Sequence, residues 1–283
     1  MLEKINLDIQ IFKVGKFKSA VEPYILEKMS VSNRAQLEKL LNSFTENMMD
    51  SIANQRNLTL QQVQSHADLL TLNSADICKD LGYVDDVLYE DQVEDSLKKI
   101  LNIEELNFVT IGNYSKVKKA KKKISRNKIA IIYANGEINS GKGDHQNIGS
   151  ITTSKAIKQA RKDKNVKAIV LRVNSPGGSA LASDVIWRES VLAQQAKPLV
   201  VSMGDYAASG GYYIACAADT IVANPTTLTG SIGVFGMVPN FKRFYKENFG
   251  INLDTVNTNK YSDMGINRKM TQFEKNKIQQ GVE

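Results

Sequence analysis

KAIVLRVNSPGGSALASDVIWRESVLAQQAKPLVVSMG, residues 167–204, reads as a strand, a helix and a second strand. Both strand segments are apolar almost throughout rather than at alternate positions, which predicts strands covered on two faces. A helix between two such strands predicts a parallel crossover. The same alternation runs outward through IAIIYANG (129–136), SITTSKAIKQARKD (150–163), GGYYIACAA (210–218) and DTIVAN (219–224). Residues 128–283 therefore read as an α/β region.

The first part of the chain reads differently. INLDIQIFKV (5–14) alternates apolar and polar residues as a half-buried strand does. Residues 30–53 open on capping residues and place Leu37, Leu40, Leu41, Phe44, Met48 and Ile52 at helical spacing. Residues 58–72 offer a weaker helix, and GYVDDVLY (82–89) a strand or turn. The organisation expected is a first domain over 1–115, a basic linker over 116–127 and a second domain over 128–283.

At 283 residues, with 42% hydrophobic and 24% charged side chains, the chain is long enough for one or two packed domains, which excludes wholesale disorder and fibrous repeats. No run approaches the ~18 apolar residues of a membrane span, and MLEKINLDIQIFK lacks the layout of a secretory signal. The net charge of +7 is local. KVKKAKKKISRNK (116–128) carries eight Lys or Arg and no acid, and removing its +8 leaves −1 for the rest. Without aromatic residues to stack bases, that run reads as a solvated linker or surface helix rather than a nucleic-acid or lipid patch. Of two cysteines, Cys216 in YYIACAA reads as a small buried hydrophobe.

Three short matches recur in one order: INLD at 5–8 and 251–254, GKFK at 15–18 with NKYS at 259–262, and EKMS at 27–30 with RKMT at 268–271. They predict an internal repeat. The first copy has some 60 residues of helix and strand after its third match, whereas the second has an α/β layer before its first. That asymmetry predicts the middle of a longer double-domain protein.

Chemistry concentrates in two glycine turns. In DYAASGGYYIA (205–215) a strand runs into Ser209, two glycines and a helix, so Ser209 stands where free backbone N–H groups and a helix dipole favour developing negative charge. A plain helix N-cap is the equal alternative for that segment taken alone. NSPGGS (174–179) also follows a strand and precedes a helix, which places it at the same sheet edge, where ligand sites of open α/β sheets gather. Gly177 and Gly210 are candidate oxyanion donors. The loop lacks the lysine and hydroxyl of a phosphate-binding loop. His66 and His145, the two histidines, lie in polar stretches. A lysine is the other base a serine can use, provided its amine is neutral at working pH.

IVLRVNSPGGSALASDVI, KPLVVSMGDYAASGGYYIA and ANPTTLTGSIGVFG, joined by GKFKSAVEP, resemble the signal peptide peptidase A family, also called protease IV. The resemblance implies a Clp-protease/crotonase-like fold of repeated ββα units. It implies Ser/Lys-dependent cleavage of signal peptides left in the membrane, with no cofactor and no metal. Residue by residue, the nucleophile falls on Ser209, the base on Lys18, a lysine-holding hydroxyl on Ser231 and the oxyanion hole on Gly210 and Gly177. Ser262 stands where the single-domain branch has its lysine, so the pattern is similar to the long branch, with Lys260 a fallback base. The family also implies a homo-oligomeric ring or dome, a membrane anchor outside this chain, a periplasmic catalytic part on the bacterial inner membrane, and no nucleic-acid partner. Val234, Phe235 and Met237 read as groove-lining or core residues. The rival readings are a crotonase-like acyl-CoA hydratase or hydrolase using the same glycines, and a non-catalytic scaffold of the same fold.

Overall fold

The computed structural model describes residues 2–116 and 125–283, so most of the basic run lies outside the described residues. Strands in chain order are β1 (Asp8–Lys13), β2 (Lys128–Asn135), β3 (Glu137–Asn139), β4 (Asn147–Gly149), β5 (Val166–Ser175), β6 (Leu199–Ala208), β7 (Thr220–Val222), β8 (Leu228–Gly230) and β9 (Phe235–Asn240). Helices are α1 (Glu22–Ile25), α2 (Val31–Arg56), α3 (Leu60–Asp68), α4 (Ala75–Asp80), α5 (Glu90–Leu101), α6 (Ile111–Tyr114), α7 (Ser150–Lys162), α8 (Ala180–Ala196), α9 (Gly210–Ala215), α10 (Lys242–Phe249) and α11 (Gln272–Val282). Among the described residues no helix is long and apolar enough to cross a membrane.

The chain forms two compact units. One joins Met1–Ser43 to Ile129–Glu283, and the other comprises Phe44–Lys128. In the second unit Thr59 and Gln62 form a capping box at the start of α3. Nearby, Val63 is buried, His66 Nδ1 meets the Tyr83 hydroxyl at 3.0 Å, and Arg56 pairs with Asp85 at 3.0 Å. His66 thus has a structural partner.

The first unit is α/β, as the apolar runs predicted, but its strands are not covered on both faces: alternate residues of β5 are only half-buried, and Ile129, Ile131 and Tyr133 of β2 are exposed. Its larger sheet has the order β2-β5-β6-β7, with β8 also pairing β6. β5–β6, β6–β7 and β6–β8 are all parallel. Ile169, Leu171 and Val173 of β5 and Val201 of β6 are sealed from solvent beneath Ile157 of α7 and Ile186 of α8. Burying each such side chain stabilises the unit by about 1.5–3 kcal/mol. A register shift between Val173 and Ser175 breaks the β5–β6 ladder near its C-terminal end. Beyond it β6 continues to Ala208 with β8 as its neighbour, so the β6–α9 turn stands at the edge of the sheet.

A second, two-stranded sheet pairs β1 antiparallel with β9, Asp8 opposite Asn240 and Lys13 opposite Phe235. It brings the N-terminal segment onto the α/β core. The repeated elements share a helix start: Ser30 Oγ accepts the Asn33 amide before α2, and Thr271 Oγ1 accepts the Glu274 amide at α11. They differ upstream, because INLD leads into β1 in the first copy whereas residues 251–257 form no strand and are exposed in the second. Behind α11's cap, Arg268 grips Asp263 and Glu274, each at 2.6 Å, and holds both carboxyls at about 2.

Candidate active site

β6 ends in Ala208, and Ser209 turns the chain into α9 with φ +53° and ψ −118°. A non-glycine residue with that backbone costs of order 1–3 kcal/mol and persists only where its surroundings enforce it. Here they do. The Ser209 amide donates to the Gly230 carbonyl of β8 at 2.9 Å, and the Ser209 carbonyl takes the Tyr213 amide at 2.9 Å. The side chain is solvent-exposed and makes no cap hydrogen bond, so the plain N-cap alternative does not describe it. The arrangement is a strand, a strained serine and a helix, the elbow geometry that lifts a nucleophile clear of its backbone.

Glycines are required around this elbow for steric reasons. A Cβ on Gly177, whose φ is +108°, would lie 2.8 Å from both Ser209 Cβ and Gly210 N. On Gly210 it would lie 2.5 Å from Ser183 Oγ and 3.1 Å from Ile138 Cδ1. The NSPGGS turn is thus packed directly against the serine. Gly210 opens α9, where the first amides have no carbonyl one turn back to bind. The Gly177 amide donates to the Oγ of fully buried Ser175 at 3.1 Å. Tyr213 fixes α9 against α8 by donating its hydroxyl to Asp184 Oδ1 at 2.7 Å, a bond that pushes the phenol up from its ordinary value.

Lys18 enters from the segment that follows β1. A Cβ on Gly233 would touch Lys18 Cε at 3.6 Å, so the lysine stem lies along the Gly230–Gly233 loop. Lys18 and Ser231 line one cavity of about 550 Å³, whose apolar wall includes Phe17, Leu37, Leu40, Ile232 and Phe235. Ser231 has φ +52°, a second left-handed non-glycine residue one step from the carbonyl that anchors Ser209. Lys18, Ser231, Gly210, Gly177 and Ser209 all belong to one compact unit, in which Lys18 and Ser231 share the cavity while Gly177 and Gly210 pack around Ser209. Neither Ser209 nor Gly230 lines the cavity; the Ser209 amide bonds the Gly230 carbonyl, and the chain neighbours of Gly230, Thr229 and Ser231, are lining residues.

Other candidates lie elsewhere. Lys260 is exposed, its amine 5.4 Å from the Tyr261 ring centroid, and Ser262 donates to the Asn259 carbonyl. His145 is exposed between β3 and β4. Val234, Phe235 and Met237 are not core residues: they are 49%, 47% and 38% exposed, and of the three Phe235 lines the cavity. Cys216 is exposed rather than buried, because the short α9 ends there and turns the thiol outward to the Tyr213 carbonyl. Leu37 and Leu40 read as ordinary helix-core positions. Their place in the cavity wall follows from β1–β9 pairing, which no local pattern announces. Among the described residues no cluster of three or more His, Cys, Asp or Glu is placed to hold a metal ion.

Comparison with known proteins gives consistent matches. A family model described as peptidase family S49 matches residues 1–104 and 192–283, which include Lys18, Ser209, Gly210 and Ser231 but not Gly177. Protease 4 of Salmonella typhi is 37% identical over 293 residues, 100% of this chain and 47% of that protein. The chloroplastic serine protease SPPA of Arabidopsis thaliana is 36% identical over 273 residues, 93% of this chain and 40% of that protein. The chain thus spans less than half the length of these relatives. A solved membrane-bound stomatin-specific protease with a substrate peptide matches at 25% identity and TM-score 0.31, over 39% of this chain and 48% of that one.

Proposed function

The chain belongs to peptidase family S49, and from that premise we propose that it is the part of a serine endopeptidase that carries a Ser209/Lys18 dyad. The observation that supports this most directly is the strained Ser209 elbow, packed on the Gly177 turn and hydrogen-bonded to Gly230, the chain neighbour of Ser231, which lines a cavity with Lys18. In the proposed reaction the neutral Lys18 amine takes the Ser209 hydroxyl proton as the oxygen bonds the scissile carbonyl carbon. The Gly210 N–H holds the resulting oxyanion. Gly177 joins it by exchanging its bond to Ser175 Oγ for one to the oxyanion. Protonated Lys18 then gives its proton to the leaving amine as the peptide bond breaks. A water deprotonated by Lys18 hydrolyses the acyl-enzyme and restores Ser209. Ser231 steadies the amine between these transfers.

The apolar cavity wall suits a greasy peptide, and with the family resemblance it supports cleaved signal peptides as substrates. By the same resemblance the proposed setting is a homo-oligomer on the periplasmic face of the bacterial inner membrane. The test is fluorophosphonate labelling and peptide cleavage by the full-length protein. Ser209→Ala and Lys18→Ala are expected to abolish both signals, and Lys260→Ala to retain them. A fully active Lys18→Ala refutes the dyad and returns the search to Lys260.

A further inference from the structure

A lysine base must hold the end of a flexible four-carbon chain in place, so the backbone from which it springs must be fixed. Around Lys18 that is done by side chains outside the dyad. Gln36, in the second turn of α2, donates Nε2 to the Phe17 carbonyl at 3.2 Å and to Ser19 Oγ at 3.0 Å. It therefore grips the chain on both sides of Lys18. From the β1 side Lys13 Nζ donates to the Lys18 carbonyl at 3.3 Å.

Gln36 is itself held. Its amide lies 3.1 Å from Asn33 Oδ1, and Asn33 Nδ2 donates to Glu22 Oε2 at 3.1 Å. Glu22 is 4% exposed and also takes the Ser30 hydroxyl at 2.6 Å and the Ser30 amide at 3.1 Å. The Ser30 hydroxyl foremost holds this carboxyl below its ordinary value. A chain of hydrogen bonds thus runs from the start of α2 to the residues flanking Lys18. Gln36 also lines the cavity that Lys18 and Ser231 share.

We propose that Gln36 is a positioning residue for Lys18: through the Phe17 carbonyl and the Ser19 hydroxyl it fixes the backbone from which the amine reaches the serine site, with Asn33 and Glu22 orienting Gln36. The proposal rests on Lys18 being the base. A displacement of about 1 Å at a reacting group costs on the order of 10²-fold in rate, so the tether is expected to act on kcat rather than on substrate binding.

The experiment compares Gln36→Ala, Gln36→Glu and Lys18→Ala in the full-length protein, with thermal melts as a control for folding. Expected for Gln36→Ala are a kcat lower by about 10- to 100-fold, a KM within about twofold, equally slowed fluorophosphonate labelling, and a displaced rising limb of the kcat/KM pH profile. Gln36→Glu, which keeps the shape but loses the donor, is expected to resemble Gln36→Ala. Should Gln36→Ala fail to fold, Ser19→Ala removes a single acceptor and is expected to give the same displacement with a loss of several-fold. An unmoved pH limb and unchanged kcat, with Lys18→Ala inactive, overturn the positioning role and leave the dyad intact. An activity loss that merely tracks the folded fraction, with the limb unmoved, overturns it equally. An active Lys18→Ala overturns both readings.

Discussion

Gly177→Ala puts the proposed site under its most direct stress. The residue has φ +108°, and its missing Cβ would sit 2.8 Å from Gly210 N and from Ser209 Cβ, and 2.9 Å from the Ala208 carbonyl oxygen. Ordinary contact begins near 3.4 Å, so the turn and the elbow must part by about half an ångström, and both neighbours are backbone or the first atom of a side chain. The unfavourable backbone costs about 1–3 kcal/mol and the overpacking about 1–3 kcal/mol, for an expected loss of about 2–6 kcal/mol. Any displacement that relieves the clash moves Ser209 and the Gly210 amide away from the Gly177 turn, so the folded fraction should also lose about 10²-fold in kcat. Urea unfolding and fluorophosphonate labelling of the same samples separate the two effects. Gly250→Ala is the control: its φ is +66° but nothing lies within 4 Å of the added carbon, so it should lose only about 1–2 kcal/mol and keep full labelling. A Gly177→Ala protein as stable and as reactive as wild type would refute the packing argument and, with it, the role of the turn.

The other expectations are simpler. Arg268→Met strands Glu274, which is 1% exposed, and should cost about 3 kcal/mol by chemical unfolding, whereas Thr271→Ala removes only a cap and should cost about 1 kcal/mol. Asp263 and Glu274 titrate at about 2 in the fold, below their ordinary 3.8 and 4.5. Their contribution is therefore complete above about pH 4.5 and lost as pH falls toward 2. An acid titration should show that loss, and Glu274→Gln should reduce it. Leu171→Ala, in a fully buried position of β5, should cost about 2–5 kcal/mol in the same assay.

What the sequence revealed depended on how local the signal was. The apolar runs of β5 and β6 and the capped, periodic α2 were legible because a buried strand or an amphipathic helix declares itself within a few residues. Ser30 stands at the start of α2, where the capping residues predicted it. The Ser209 elbow was legible as a strand–small-residue–helix pattern, but its left-handed backbone was not, since a serine there is held by the Gly230 carbonyl of another strand. Cys216 was misread for the opposite reason: its neighbours Ile214 and Ala215 are apolar and fully buried, yet Cys216 itself stands just past the end of α9 and faces solvent. The short strands β3, β4 and β8 carry three residues each and no periodicity to detect. Hardest to see were Leu37, Leu40 and Gln36, whose roles depend on which distant segment α2 happens to face.

The antiparallel pairing of Lys13 with Phe235 spans 222 positions of chain. At a synthesis rate of roughly 5–20 residues per second, β1, which Lys18 follows, leaves the ribosome about 11–44 s before its partner strand exists. During that interval Lys18 has no sheet to deliver it to the elbow. The order of the two halves along the message thus acts as a timer, and a nascent chain gains the proposed dyad only after the whole α/β layer has been made.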